Sequence, residues 1–195
     1  VAFASDARLD AAALYTAACD AFTAGRFADS AQLFDAFATR YAGEPAMTGV
    51  MGRVYYALGC ARFNAREMQP ALAAFDRHLS LWPTSPYRAE VLYRTAAAHQ
   101  VLGSVADAID GYQRLLRDVP AFPQAGDVRL QCALCYLTLE CYNAALPLLQ
   151  QLTTHGKNPR VVIAAQLHQT RVRVQTPFIY KYDNQVYLPV WDFIR

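Results

Sequence analysis

An eight-residue segment recurs along this chain at a constant interval, and that recurrence limits its fold more than any other feature. The copies are Met68-Gln69-Pro70-Ala71-Leu72-Ala73-Ala74-Phe75, Val105-Ala106-Asp107-Ala108-Ile109-Asp110-Gly111-Tyr112 and Tyr142-Asn143-Ala144-Ala145-Leu146-Pro147-Leu148-Leu149. Ala71, Ala108 and Ala145 stand 37 residues apart, and Trp82-Pro83 and Val119-Pro120 repeat the same interval downstream. An earlier copy, Phe27-Ala28-Asp29-Ser30-Ala31-Gln32-Leu33-Phe34, lies 41 residues before the Met68 copy. The four extra residues are expected within Tyr41 to Gly52, which carries Gly43, Gly49, Gly52 and Pro45. A period of this length marks stacked supersecondary units.

Each copy reads as a helix. A small residue followed four positions later by a large one puts both on one helical face. The small side chain admits a neighbouring helix and the large one fills the space beside it. Proline disfavours helix at the residue before it, so Pro83 and Pro120 end their helices. Pro70 falls in a first turn, where a missing N–H costs little. A second helical run precedes each copy: Tyr55, Tyr56, Leu58, Gly59 and Phe63; then Leu92, Tyr93, Ala96 and Val101; then Leu130, Cys132, Ala133, Tyr136 and Leu137. Gly25 and Gly103 stand where two antiparallel helices must turn. One helix pair cannot bury its own apolar face, but stacked pairs can, which gives a right-handed solenoid with concave and convex sides.

Leu58-Gly59, Ala71, Phe75 and Pro83 match the tetratricopeptide pattern at its signature spacings, and Ala108, Tyr112 and Pro120 match it again. The resemblance covers residues 8 to 156 and implies an all-α fold, an α-α superhelix of about four helix pairs. The terminal copies depart from the pattern: Ser30 replaces Ala in the first, and Leu149 and Lys157 replace the aromatic residue and the proline in the last. The junction Trp82-Pro83-Thr84-Ser85-Pro86-Tyr87-Arg88-Ala89-Glu90-Val91-Leu92-Tyr93-Arg94 is similar to that of bacterial cell-envelope repeat proteins, namely the lipoprotein of the outer-membrane β-barrel assembly machine and the Tol–Pal periplasmic coordinator. Val119 to Asp127 is a looser second copy. That resemblance implies a non-enzymatic scaffold or adaptor in a bacterial envelope assembly, periplasmic or envelope-associated, with a cytoplasmic setting as the alternative. No lipidation cysteine is expected, because Cys19 falls inside a helical run.

In such arrays the first helix of each pair lines the inner groove. Its stripe offers Tyr15, Cys19 and Phe22, then Tyr56, Cys60 and Phe63, so Tyr-x3-Cys-x2-Phe occurs twice at helical spacing. The third helix offers Glu90, Tyr93, Ala97 and Gln100, and the fourth Asp127, Leu130, Leu134 and Leu137. Tyr15, Cys19, Phe22, Tyr56, Cys60, Phe63, Tyr93 and Gln100 are the candidate partner-binding residues. Tyrosine joins a large apolar body to a polar tip, which suits a groove for an extended or helical peptide. The competing reading packs these aromatics between neighbouring helices, and a small apolar ligand is the alternative occupant. The dicarboxylate clamp of chaperone-binding relatives needs Lys, Arg and Asn where this stripe is aromatic and Cys, so an acidic C-terminal tail is not the expected ligand.

A 54% apolar composition with only 17% charged residues requires most of that surface to be hidden inside or covered by a partner. The net charge of +2 gives no reason to expect nucleic acid. From Lys157 onward, six Lys or Arg face two Asp, which reads as a basic tail on an acidic body before it reads as a nucleic-acid or lipid patch. The longest uncharged run, Cys141 to Gly156, is shorter than the roughly 18 residues a transmembrane helix needs and contains Pro147. No signal-peptide pattern opens the chain, and Val1 fits a processed or trimmed start. The five cysteines do not form a disulfide framework. Cys132-x2-Cys135 lies mid-helix with no second pair, so both read as packing thiols. The four His are scattered, and no phosphate loop or nucleophile elbow occurs, so no catalytic residue, metal or cofactor is expected. A homo-oligomer is compatible with the pattern.

Residues 6–174 therefore read as one helical-repeat domain and 175–195 as a tail. At the end of that domain, Arg160 to Val174 is expected to form a capping helix, with Val161, Ala164, Ala165, His168 and Val172 on one face. Phe178-Ile179-Tyr180-Lys181-Tyr182 and Val186-Tyr187-Leu188-Pro189-Val190 are rich in β-formers and flank the turn-like Asp183-Asn184-Gln185, a candidate hairpin. A lone hairpin is marginal. Six aromatics between Phe178 and Phe193 require cover, either from the chain's own helices or from a partner.

Overall fold

The computed structural model describes the backbone of residues 2–175, 181–182 and 185–186, and the side chains of residues 10–172. The helices are α1 (Ala2–Thr23), α2 (Phe27–Tyr41), α3 (Thr48–Asn64), α4 (Met68–Leu81), α5 (Arg88–Val101), α6 (Val105–Asp118), α7 (Ala125–Thr138), α8 (Tyr142–His155) and α9 (Pro159–Gln175). They divide between two compact units, one up to Pro120 and one from Ala121. In the first, each of α1 to α5 packs against the next helix, and α3 also touches α5 two helices on. In the second, α8 packs on α7 and on α9, and α7 touches α9. This is the stacking of helix pairs that the period requires.

The repeated small and large residues form the core. Ala71, Ala108 and Ala145 are fully buried, as are Phe75, Tyr112 and Leu149 four positions on. Gly59 sits against the Phe75 ring, so that a Cβ there would overlap it. Gly111 meets Ala96 in the same way, with the added Cβ 2.9 Å from the alanine methyl. Ser30 holds the alanine position of the first copy and is equally buried, because its hydroxyl donates to the Ala18 carbonyl oxygen of α1 at 2.8 Å. That bond satisfies a polar group that would otherwise oppose burial.

The turns inside the pairs are alike. Gly25, Arg66, Gly103 and Glu140 all have positive φ, at 74°, 67°, 79° and 56°. Each turn closes with the same two backbone bonds. The N–H of Arg26, Glu67, Ser104 and Cys141 reaches back five residues, and that of Gly25, Arg66, Gly103 and Glu140 reaches back three. This is the Schellman end of a helix, which satisfies carbonyls the helix itself leaves unpaired.

Pro83 and Pro120 follow Trp82 and Val119, whose φ values of −130° and −134° take them out of the helix. The four extra residues between the first two copies extend the flanking helices. Tyr41 is still helical where Trp82 is not, and Thr48 to Val50 lengthen the start of α3. α9 begins at Pro159, and its Asn158 side chain accepts from the Arg160 N–H at 3.1 Å, an N-cap bond. Beyond it, Lys181–Tyr182 pairs antiparallel with Gln185–Val186, so Gln185 is in a strand and not in the turn. The remainder of the candidate hairpin, 178–180, 183–184 and 187–190, lies outside the described residues. No helix among the described residues is long and apolar enough to cross a membrane.

Candidate functional site

The stripe residues of the first unit come from the first helix of each pair, at equivalent positions. Tyr15, Tyr56 and Tyr93 correspond through the repeat, as do Phe22, Phe63 and Gln100. Helical spacing places each set on one face, and the stacked helices set the faces side by side.

The Tyr-x3-Cys element has a local cause. The Tyr15 hydroxyl faces the Cys19 thiol one turn on, and Tyr56 faces Cys60 in the same way. Burial raises the pKa of both tyrosines, and the neighbouring thiol adds to it. The Cys60 thiol is also pushed up by burial, against the opposing pull of Arg94.

Exposure separates the stripe. Cys60 is only 5% exposed and belongs to a core cluster with Ala71, Phe75 and Val91. Tyr15, Cys19, Phe22, Tyr56, Phe63, Tyr93 and Gln100 are half-buried. Tyr15 meets Phe34 and Phe37 of α2 edge-on, with centroids at 5.7 and 6.1 Å. Phe22 packs edge-on to Phe27 at 5.2 Å. Tyr56 stacks on Tyr87 at 4.5 Å, nearly parallel. Phe63 packs with Met68, Leu72 and Ala98. Tyr93 lies 6.2 Å from the Tyr112 ring, and the Tyr112 hydroxyl donates to Gln100 Oε1 at 2.8 Å. Each of these side chains therefore packs on a neighbour along part of its surface and keeps part accessible.

Two arginines, absent from the sequence reading of the stripe, complete this face. Arg53 of α3 lies beside the hydroxyls of Tyr15 on α1 and Tyr87 just before α5, and attraction to both holds its guanidinium pKa above the ordinary value. It pairs with no carboxylate among the described residues. Arg94 of α5 holds Glu90 at 2.8 Å and lies over the Phe63 ring at 5.8 Å. Arg53 stands one turn before Tyr56, in repeat register with Glu90, which is the only sequence signal that could have located it.

Between α1 and α3 the face opens into a cleft of about 330 Å³ lined by Ala11, Tyr15, Phe37, Met47, Val50 and Arg53. Its walls are apolar and Arg53 is its charged member. Val50 is 37% exposed there, a large apolar side chain left partly in solvent.

Cys132 and Cys135 lie on α7. Burial, with some repulsion from Cys135, pushes the Cys132 thiol up to about 12, and burial alone raises Cys135. Both thiols stay protonated near neutrality and are poor nucleophiles. All five cysteines are free. No group of three or more His, Cys, Asp or Glu among the described residues is arranged to hold a metal.

The stacked pairs, the Ala–aromatic register and the Schellman turns define the class: a tetratricopeptide-like helical solenoid. Solved structures with this fold include MamA from Desulfovibrio magneticus RS-1, beginning at its residue 41, which is 17% identical with a TM-score of 0.69 over 86% of this chain and 85% of that one. The nearly identical TPR-like repeats of a Podosopora anserina kinesin light chain are also similar, at 15% identity and a TM-score of 0.67 over 85% of each chain. At these identities the likeness establishes the fold. No protein-family model matches the sequence, and no curated protein matches it.

Proposed function

We propose that the chain is a non-enzymatic scaffold that holds a segment of a partner protein on the first-helix face of its first unit. The carrying observation is the cleft between α1 and α3, whose apolar walls end at an arginine with no carboxylate partner among the described residues. A bulky apolar side chain fits such a volume, and an acceptor on the same peptide would meet Arg53, which lies beside two tyrosine hydroxyls. Tyr15, Cys19, Phe22, Tyr56, Phe63, Tyr93 and Gln100 supply the rest of the face, with Cys60 supporting it from beneath. The reading takes residues 6–174 as the repeat domain and 175–195 as a separate tail. An envelope or periplasmic setting rests on the Trp82 to Arg94 junction.

Photo-cross-linking tests this. A benzophenone amino acid is placed at Val50, and in a control at Asp110 on exposed α6, and each protein is irradiated in native-host extract. Adducts with a discrete protein from Val50 and not from Asp110 support the reading. Equal labelling at both sites, or none at Val50, refutes it. The cleft volume also lies in the range of small-ligand sites, roughly 300–1,000 Å³. A small apolar ligand is the second reading, and it predicts a co-purifying compound and no protein adduct.

A further inference from the structure

α9 stands in the place of a first helix, and no second helix follows it among the described residues. It packs on α8 and touches α7, as α5 packs on α4 and touches α3. Val161 and Ala165 are buried in a cluster with Leu130, Ala133, Leu149 and Leu152. The face turned away from that cluster carries Ile163, Gln166, Leu167 and Thr170, and all four are exposed. Ile163 and Leu167, at 65% and 67%, are the most exposed large apolar side chains among the described residues.

Repeat register shows what this face does elsewhere. Ile163 corresponds at 37-residue steps to Gly126, Ala89 and Gly52, and Thr170 corresponds to Ala133, Ala96 and Gly59. In the earlier pairs those positions receive the second helix. Gly59 abuts Phe75 of α4, Gly52 abuts Trp82 at its end, and Ala96 abuts Gly111 of α6. Small residues there permit close helix approach. In α9 they have become Ile and Thr, so the face no longer admits a helix in the same manner, while its two apolar side chains still stand in water.

The chain that follows matches this change. Residues 176–195 contain Phe178, Tyr180, Tyr182, Tyr187, Trp191 and Phe193, with Pro177 and Pro189 opposing helix. They begin where α9 ends. The five residues before the Lys181–Val186 hairpin and the nine after it reach about 16 and 30 Å when extended, against about 25 Å for a 17-residue helix, so the segment is long enough to lie along the outer face of α9. An extended chain lays side chains across Ile163 and Leu167 without requiring its backbone to come close.

We propose that residues 176–195 cover the outward face of α9 in the same molecule, in the place where each earlier pair carries its second helix. The segment removes an apolar surface that would otherwise recruit further protein.

Trp82 and Trp191 are the two tryptophans, so a Trp82→Phe background leaves Trp191 as the reporter. Iodide quenching of its fluorescence is compared with and without Ile163→Asp and Leu167→Asp. The proposal expects a shielded, blue-shifted Trp191 whose quenching constant rises several-fold in the double variant, with helical circular dichroism unchanged and no dependence on protein concentration. A Trp191 that is freely quenched in the background protein, or shielded but indifferent to both substitutions, overturns it. Shielding that disappears on dilution also overturns it, because the cover then comes from a second copy. If the double variant loses helicity, Leu167→Gln alone gives the same readout.

Discussion

The turns within the helix pairs offer a clean test, because four equivalent positions share one backbone conformation and only two carry glycine. Arg66 and Glu140 hold φ of 67° and 56°, where Gly25 and Gly103 hold 74° and 79°. A left-handed conformation costs an L-residue about 1–2 kcal/mol, and glycine about 0.5–1 kcal/mol in extra chain entropy on folding. Arg66→Gly should therefore stabilise the protein by about 0.5–1 kcal/mol on balance. Arg66 is exposed and makes no ion pair among the described residues, so little is lost with its side chain. Gly103→Ala should cost about the same amount. A Cβ at Gly103 meets nothing within 4 Å, so that cost is conformational and not steric. Urea denaturation at constant m reads both effects as shifts of the midpoint, and about 1 kcal/mol should move Tm by roughly 2–4 °C in a chain of this size. A lowered midpoint for Arg66→Gly, or an unchanged one for Gly103→Ala, would refute the assignment of these turns.

Two further outcomes follow from the core. His78 is fully buried, its Nδ1–H donates to the Gly52 carbonyl at 2.8 Å, and its Nε2 has no partner among the described groups. Burial lowers its pKa below the ordinary 6.5, so the unfolded chain binds the proton first. Stability from this group is complete above pH 6.5 and is lost as pH falls below it, by up to about 1.4 kcal/mol per pH unit. His78→Leu, which copies Leu115 and Leu152 in register, should flatten that part of the pH–stability curve; an unchanged difference between pH 7.5 and 5.5 would count against it. Gly59→Ala should destabilise by about 1–3 kcal/mol, because the new methyl overlaps a buried Phe75 ring, and Gly59→Ala with Phe75→Leu should recover part of the loss in a double-mutant cycle.

Much of this was legible in the chain. Ala71 with Phe75, and Ala108 with Tyr112, announce a buried helical face through spacing alone, and Pro83 and Pro120 mark exits that the backbone follows. The turns at Arg66 and Glu140 were not legible. Neither residue carries a left-handed signature, and the conformation is imposed by helices that must reverse over three residues. Arg53 was also hidden, since a guanidinium that lies beside Tyr15 and Tyr87 meets positions 34 residues away on one side and 38 on the other.

The sequence by itself determined the period, the pairing of small with large side chains, and hence the stacking of helices, because those depend on spacing along one chain. Tertiary structure decided which stripe residues remain accessible. Cys19 and Cys60 occupy the same place in the same motif, yet Cys60 is enclosed by Ala71, Phe75 and Val91 while Cys19 stays half-buried. Exposure is set by the height of side chains on neighbouring helices, and no single helix records it.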